Sequence, residues 1–154
     1  MKLNRSQLIK ELDKLVSIRV RYGTAKQKRD GLHCVCISCL KEFPIGKIDC
    51  GHFVRRGVLP LRFDLRNVHP ECQYDNRFNI DHLVGYTLHM QALYGDKEVE
   101  KLLQIKEDWL NGKIKPYTLV ELKQLYNDNL SAVRKLEQDT GLKLYPKTKK
   151  ALDL

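Results

Sequence analysis

Two short knuckles, Cys36-Ile-Ser-Cys39 and Cys72-Gln-Tyr-Asp75, frame the middle of this 154-residue chain. Each offers two potential metal ligands separated by two residues, the spacing with which structural zinc sites gather ligands from separate segments. Zinc favours thiolate and imidazole and accepts carboxylate oxygen, so Asp75 can stand where a fourth cysteine is expected. Residues 34–80 are broken by Pro44, Pro60, Pro70, Gly46, Gly51 and Gly57. A stretch this interrupted has little apolar material of its own, and a structural zinc on Cys36, Cys39, Cys72 and Asp75 would explain its order. Cys34, Cys50 and His69 are rivals for the fourth position. The five cysteines make an odd count without a secretion signal, which argues against a disulfide framework.

Hydrophobic residues make up 42% of the chain and charged residues 31%, the balance of a soluble globular protein. No apolar run approaches the roughly 20 residues that span a bilayer. The N-terminal "MKLNRSQLIKELDKLV" alternates charged and apolar residues and does not read as a signal peptide. A cytoplasmic protein without membrane contact is expected. The formal net charge is +9, and residues 1–30 carry nine Lys and Arg against three acids. Such an excess focuses an anionic partner, most often nucleic acid, through phosphate contacts.

Helical periodicity marks both ends. Residues 5–22 place Leu8, Leu12, Leu15, Val16 and Arg19 on one face, with Asn4 and Gln7 as a capping box. Residues 22–33 read as a basic linker. Strands are expected around 47–54 and 61–70. Beyond Cys72, Leu83, Tyr86, Thr87, Met90 and Leu93 share one helical face, and Val99, Leu102, Leu103, Lys106 and Leu110 another. Thr118 with Glu121 caps a last helix that turns Leu122, Tyr126, Val133 and Leu136 inward and stops at Gly141. The expected class is α+β, mostly α. Its organisation is a basic N-terminal helix (1–28), a zinc-containing core (29–95) and a C-terminal helical region (96–154).

Between the knuckles lie His52 and Asn67, and Asn76 follows the second. A His, an Asn and a further metal-ligating residue threaded through a zinc-stapled hairpin and helix is the order of the HNH or ββα-metal nuclease module. Cys36-x-x-Cys39, "DCGHF" (49–53), "LRFDLRNVHPEC" (61–72), Asn76 and "YG" (94–95) together resemble the NinG/Rap recombination endonucleases of lambdoid phages. More distantly, the pattern is similar to the Holliday-junction resolvases called endonuclease VII. These motifs span about residues 29–95. The resemblance implies an HNH-like core flanked by helices, in a phage protein acting inside the bacterial host.

It also implies roles. His52 would be the general base, since a neutral imidazole can take a proton from the water attacking a phosphate. Asn67 would orient its ring. Asn76 would be a ligand for a catalytic Mg²⁺ or Mn²⁺, its carboxamide oxygen being a hard donor. The wider nuclease pattern has an Asp before the catalytic His, where this chain has Gly51. Asp49, on the same side of a strand as position 51, is the candidate substitute, and His82 is a further candidate ligand. Arg55, Arg56, Arg62, Arg66 and Arg77 are candidates for phosphate contact, although Arg62 paired locally with Asp64 would only hold the hairpin. By resemblance the substrate is branched DNA, D-loops or Holliday junctions. Two symmetric cuts make a homodimer attractive. The competing expectation is a zinc-stabilised DNA-binding module without catalysis.

Overall fold

Asn4 and Gln7 do close a capping box, and it opens α1 (Arg5–Thr24) in the computed structural model, which describes residues 3–154. The architecture is α+β, about half helical, with two small antiparallel sheets. Residues 22–33 are not a linker throughout. They contain β1 (Lys26–Lys28), which pairs with β2 (Gly31–Val35), and β2 pairs in turn with β3 (Glu42–Pro44). All three β1 side chains are exposed, so no apolar alternation announces the strand.

A second hairpin carries the central motif. β4 (Ile48–His52) pairs with β5 (Val68–Cys72), Asp49 opposite Glu71 and Gly51 opposite His69. The expected strand over 61–70 starts only at Val68. Its first half is occupied by the short helix α2 (Leu59–Arg62), where Pro60 sits in the first turn. Helix α3 (Gln73–Arg77) follows β5 directly, then α4 (His82–Tyr94), α5 (Asp96–Leu110) and α6 (Leu119–Thr140). The Thr118–Glu121 capping box and the left-handed Gly141 bound α6 as expected.

α1 and α6 bury Leu8, Leu12, Leu15 and Val16 against Leu122, Tyr126 and Val133. Cys50, Phe63 and Val68 belong to the same cluster, so the hairpin rests directly on the terminal helices. Arg19 extends its guanidinium to the buried Asn129 side chain at 3.1 Å. A second cluster joins Val54, Val58 and Leu61 of the β4–β5 connection to Tyr86 and Met90 of α4 and to Val99 and Leu102 of α5. The stripe expected on α4 is only half correct: Tyr86 and Met90 are buried, while Leu83 and Leu93 are exposed. On α5, Leu103 and Leu110 likewise face outward. No helix among the described residues is long and apolar enough to cross a membrane.

α4 can lie this close only because of Gly85. A Cβ there would overlap the backbone oxygen of Ser38, with the carbonyl carbon 3.1 Å away. The obstacle is backbone, which cannot swing aside. Gly85→Ala is therefore expected to lower stability by about 1–3 kcal/mol despite alanine's better helix propensity, read as a shifted urea midpoint at unchanged slope.

Candidate metal centre and the histidine beside it

The turn after β2 is built to present sulfur. Leu40 N–H donates to the Cys36 carbonyl and Cys36 N–H to that of Lys41, with Leu40 in the left-handed region at φ 56°. From the other side, Cys72 ends β5 and caps α3, which points Asp75 back at the same place. Ligand atoms of Cys36, Cys39, Cys72 and Asp75 all lie within 4.8 Å of one another. Asp75 Oδ2 is 3.4 Å from Cys36 Sγ and 3.2 Å from Cys72 Sγ, and the Cys72 N–H donates to Cys36 Sγ at 3.2 Å. Burial opposes the Asp75 charge, but hydrogen bonds from Asn79 and the cysteine thiols outweigh it and hold the carboxyl below its usual range. Burial pushes the Cys39 thiol up to about 11 and Cys72 up to about 12. Loading a metal there must release protons, since the ligand is thiolate. Three sulfurs and one carboxylate oxygen suit a tetrahedral zinc, and these four residues can hold a metal ion.

The three rivals for the fourth position lie elsewhere. Cys34 Sγ donates to the Arg21 carbonyl at 3.1 Å, and Cys50 is packed into the core beside α1 with its thiol pushed up to about 12 by burial. The His69 ring sits between the Tyr86 and Tyr94 hydroxyls, 3.1 and 2.8 Å away. Burial depresses His69 to about 4, so the ring is neutral near pH 7.

His52 ends β4. Its Nε2 lies 3.0 Å from the carbonyl oxygen of Arg62. A carbonyl can only accept, so Nε2 carries the hydrogen and Nδ1 keeps its lone pair in the neutral ring. Burial lowers the His52 pKa, and the Arg62 carbonyl opposes that only in part. Arg62 is itself fixed: its guanidinium makes a bidentate pair with Asp13 of α1 at 2.9 and 2.6 Å. The first helix thus positions the histidine through one arginine.

Asn67 makes no hydrogen bond to that ring, contrary to the sequence expectation. Fully buried, it accepts from Val54 N–H at 2.7 Å and donates to the carbonyls of Val54 and Leu61 at 2.9 and 3.0 Å. It ties the β4–β5 connection shut, and that connection includes the Arg62 carbonyl that the ring uses.

Asp49 and Asn76 are brought together, with Asn76 Nδ2 donating to Asp49 Oδ2 at 3.0 Å. Arg77 forks onto the same carboxylate at 2.7 and 2.8 Å. Burial works against the Asp49 charge, yet these bonds keep its pKa below the usual range. His82 makes no hydrogen bond to that pair and meets Glu71 at 2.7 Å. Glu71 was not singled out from the sequence, where a lone acid in "VHPEC" carries no signal.

The five arginines divide. Arg62 pairs with Asp13 rather than Asp64, Arg66 with Asp64 and Glu98, and Arg77 with Asp49. Arg55 and Arg56 are exposed and form no ion pair among the described residues.

The fold and site define a small α+β protein whose central hairpin is clamped by a three-cysteine, one-aspartate cluster able to hold a metal ion. The family model for the bacteriophage lambda NinG protein matches residues 2–139, and the chain belongs to that family. The match takes in α1 and nearly all of α6, well beyond the central motifs. No curated protein and no solved structure matches the chain.

Proposed function

We propose that the protein is a metal-dependent DNA endonuclease of phage recombination, cutting phosphodiester bonds in branched DNA with His52 as general base. The observation that carries this reading is the state of His52. Burial keeps the imidazole neutral, and the Arg62 carbonyl fixes its tautomer, so Nδ1 has a lone pair for a proton from attacking water. Arg55 and Arg56 sit three and four residues further on, exposed and uncompensated, where a phosphate backbone would meet them. The order hairpin, then α3, with the metal-ready cluster at their junction, fits a ββα-metal core. Asn76 retains its carboxamide oxygen for a divalent cation. Such a cation would supply charge stabilisation at the phosphate and at the departing 3′-oxygen.

A second reading, a DNA-binding module without catalysis, draws on Gly51, which supplies no carboxylate before His52, and on the capture of Asp49 by Arg77. Cleavage of a synthetic four-way junction in Mg²⁺ or Mn²⁺ separates the two. His52→Ala is expected to cut about 10²–10⁴-fold more slowly while binding the junction as wild type does. Because the folded-state pKa of His52 is depressed, its base form persists as pH falls through the ordinary histidine value near 6.5. Wild-type cleavage should hold across that range and fail only at lower pH. Equal rates for wild type and His52→Ala would remove the catalytic assignment.

A further inference from the structure

We infer that Glu71 and His82 form a divalent-cation site, with Glu71 rather than Asp49 as its carboxylate. The inference rests on the nuclease reading only for the cation's purpose, since the site itself can be tested by binding alone. Glu71 has no exposed surface. Its Oε1 accepts from Ser38 Oγ at 2.5 Å and lies 2.7 Å from His82 Nδ1, while Oε2 is buried without any partner. No Lys or Arg pairs with it, so its charge is compensated by nothing permanent in the chain. A buried carboxylate in that condition is costly, and a bound cation removes the cost.

Its position bears on the absent Asp. A Cβ built on Gly51 would overlap Glu71 Oε2 and come within 2.7 Å of Glu71 Cβ. The carboxylate therefore fills the space that a side chain before His52 would occupy, reached from the opposite strand. Asp49, its cross-strand partner, is already neutralised by Arg77 and capped by Asn76. Of the two side chains that hydrogen-bond Glu71, His82 is the one that reaches solvent, at 22% side-chain exposure, against a buried Ser38. Carboxylate and imidazole together suit Mn²⁺, and the carboxylate alone suits Mg²⁺.

The test is Mn²⁺ binding to the zinc-loaded full-length protein, followed by electron paramagnetic resonance. Wild type is expected to bind one Mn²⁺ with nitrogen modulation from an imidazole. Glu71→Gln should weaken binding at least 10-fold, and His82→Ala should abolish the nitrogen signal. Asp49→Asn should stay within about twofold. Zinc content and thermal midpoint serve as the check on folding. If Glu71→Gln fails that check, the partly exposed His82→Gln replaces it, with the same expected loss. Unchanged Mn²⁺ affinity in a folded Glu71→Gln or His82→Gln, or a loss confined to Asp49→Asn, overturns the site. Mn²⁺ binding that depends on Glu71 in a protein that cuts no junction would instead leave the site standing and remove the nuclease reading.

Discussion

Replacing Cys72 with serine is expected to abolish zinc binding at the proposed cluster and loosen the two knuckles that the cluster joins. Cys72 does three things at once. It supplies a sulfur to the cluster, its N–H donates to the sulfur of Cys36, and it caps α3. The cluster around it holds mainly Cys34, Cys36 and Ile48, too few apolar groups to keep the two knuckles together unaided. Structural zinc sites contribute on the order of 10–16 kcal/mol of apparent binding energy at neutral pH, comparable with the whole stability of about 5–15 kcal/mol that a folded domain has. Elemental analysis should fall from one zinc per chain to none, and amide signals from the central hairpin should collapse toward unfolded positions. Chelation of the wild type should do the same. Cys34→Ser, outside the cluster, should keep a full equivalent. A Cys72→Ser protein that still holds one zinc would dismiss the proposed ligand set.

The second large effect is expected at Asn67. Truncation to alanine leaves the Val54 N–H and the Val54 and Leu61 carbonyls without their buried partner. Each orphaned group costs about 1–3 kcal/mol, and a buried asparagine leaves a cavity as well. A loss of about 3–5 kcal/mol by urea denaturation is the expected outcome. Asp at this position should do no better: it can accept from Val54 N–H but has nothing to give the two carbonyls, which would face its charge. Under the nuclease reading, cleavage should fall too, because Asn67 closes the connection that carries Arg55, Arg56 and the carbonyl partner of His52. A loss below about 1 kcal/mol would mean that the connection is held by something else.

How far the residues foretold this arrangement depends on how local each cause is. Capping boxes at Asn4 and Thr118 are made within four residues, and both are where the spacing places them. The grouping of Cys36, Cys39, Cys72 and Asp75 is legible because the chemistry of a metal site restricts residue type and spacing together. β1 was not legible, since Lys-Gln-Lys has no buried face and the strand exists only through its pairing with β2. The face of α4 was misjudged because its outer side also carries Leu83, Val84, Leu88 and Leu93, and periodicity cannot choose between two apolar sides. Asn67 was placed at the right loop and given the wrong contact. A side-chain amide that binds backbone 13 residues away leaves no local trace. Glu71 is missed for a related reason: what makes it unusual is a buried oxygen without a partner and its packing against the bare backbone of Gly51, and both are facts of three dimensions.

The registry of β5 against β4 has a consequence for how this chain can change length. Between Asn67 and Asn76 five residues are committed to particular neighbours: Asn67 to the connection, Glu71 to Gly51 and His82, Cys72 and Asp75 to the sulfur cluster, Asn76 to Asp49. Adding one residue within this run would move the residues beyond it on β5 to the other face of the hairpin and disconnect their contacts together. The connection from residue 55 to 57 is exposed and carries no such commitments. Insertions should therefore be tolerated at the loop tip and rejected along the ten residues that act as the molecule's measuring rod.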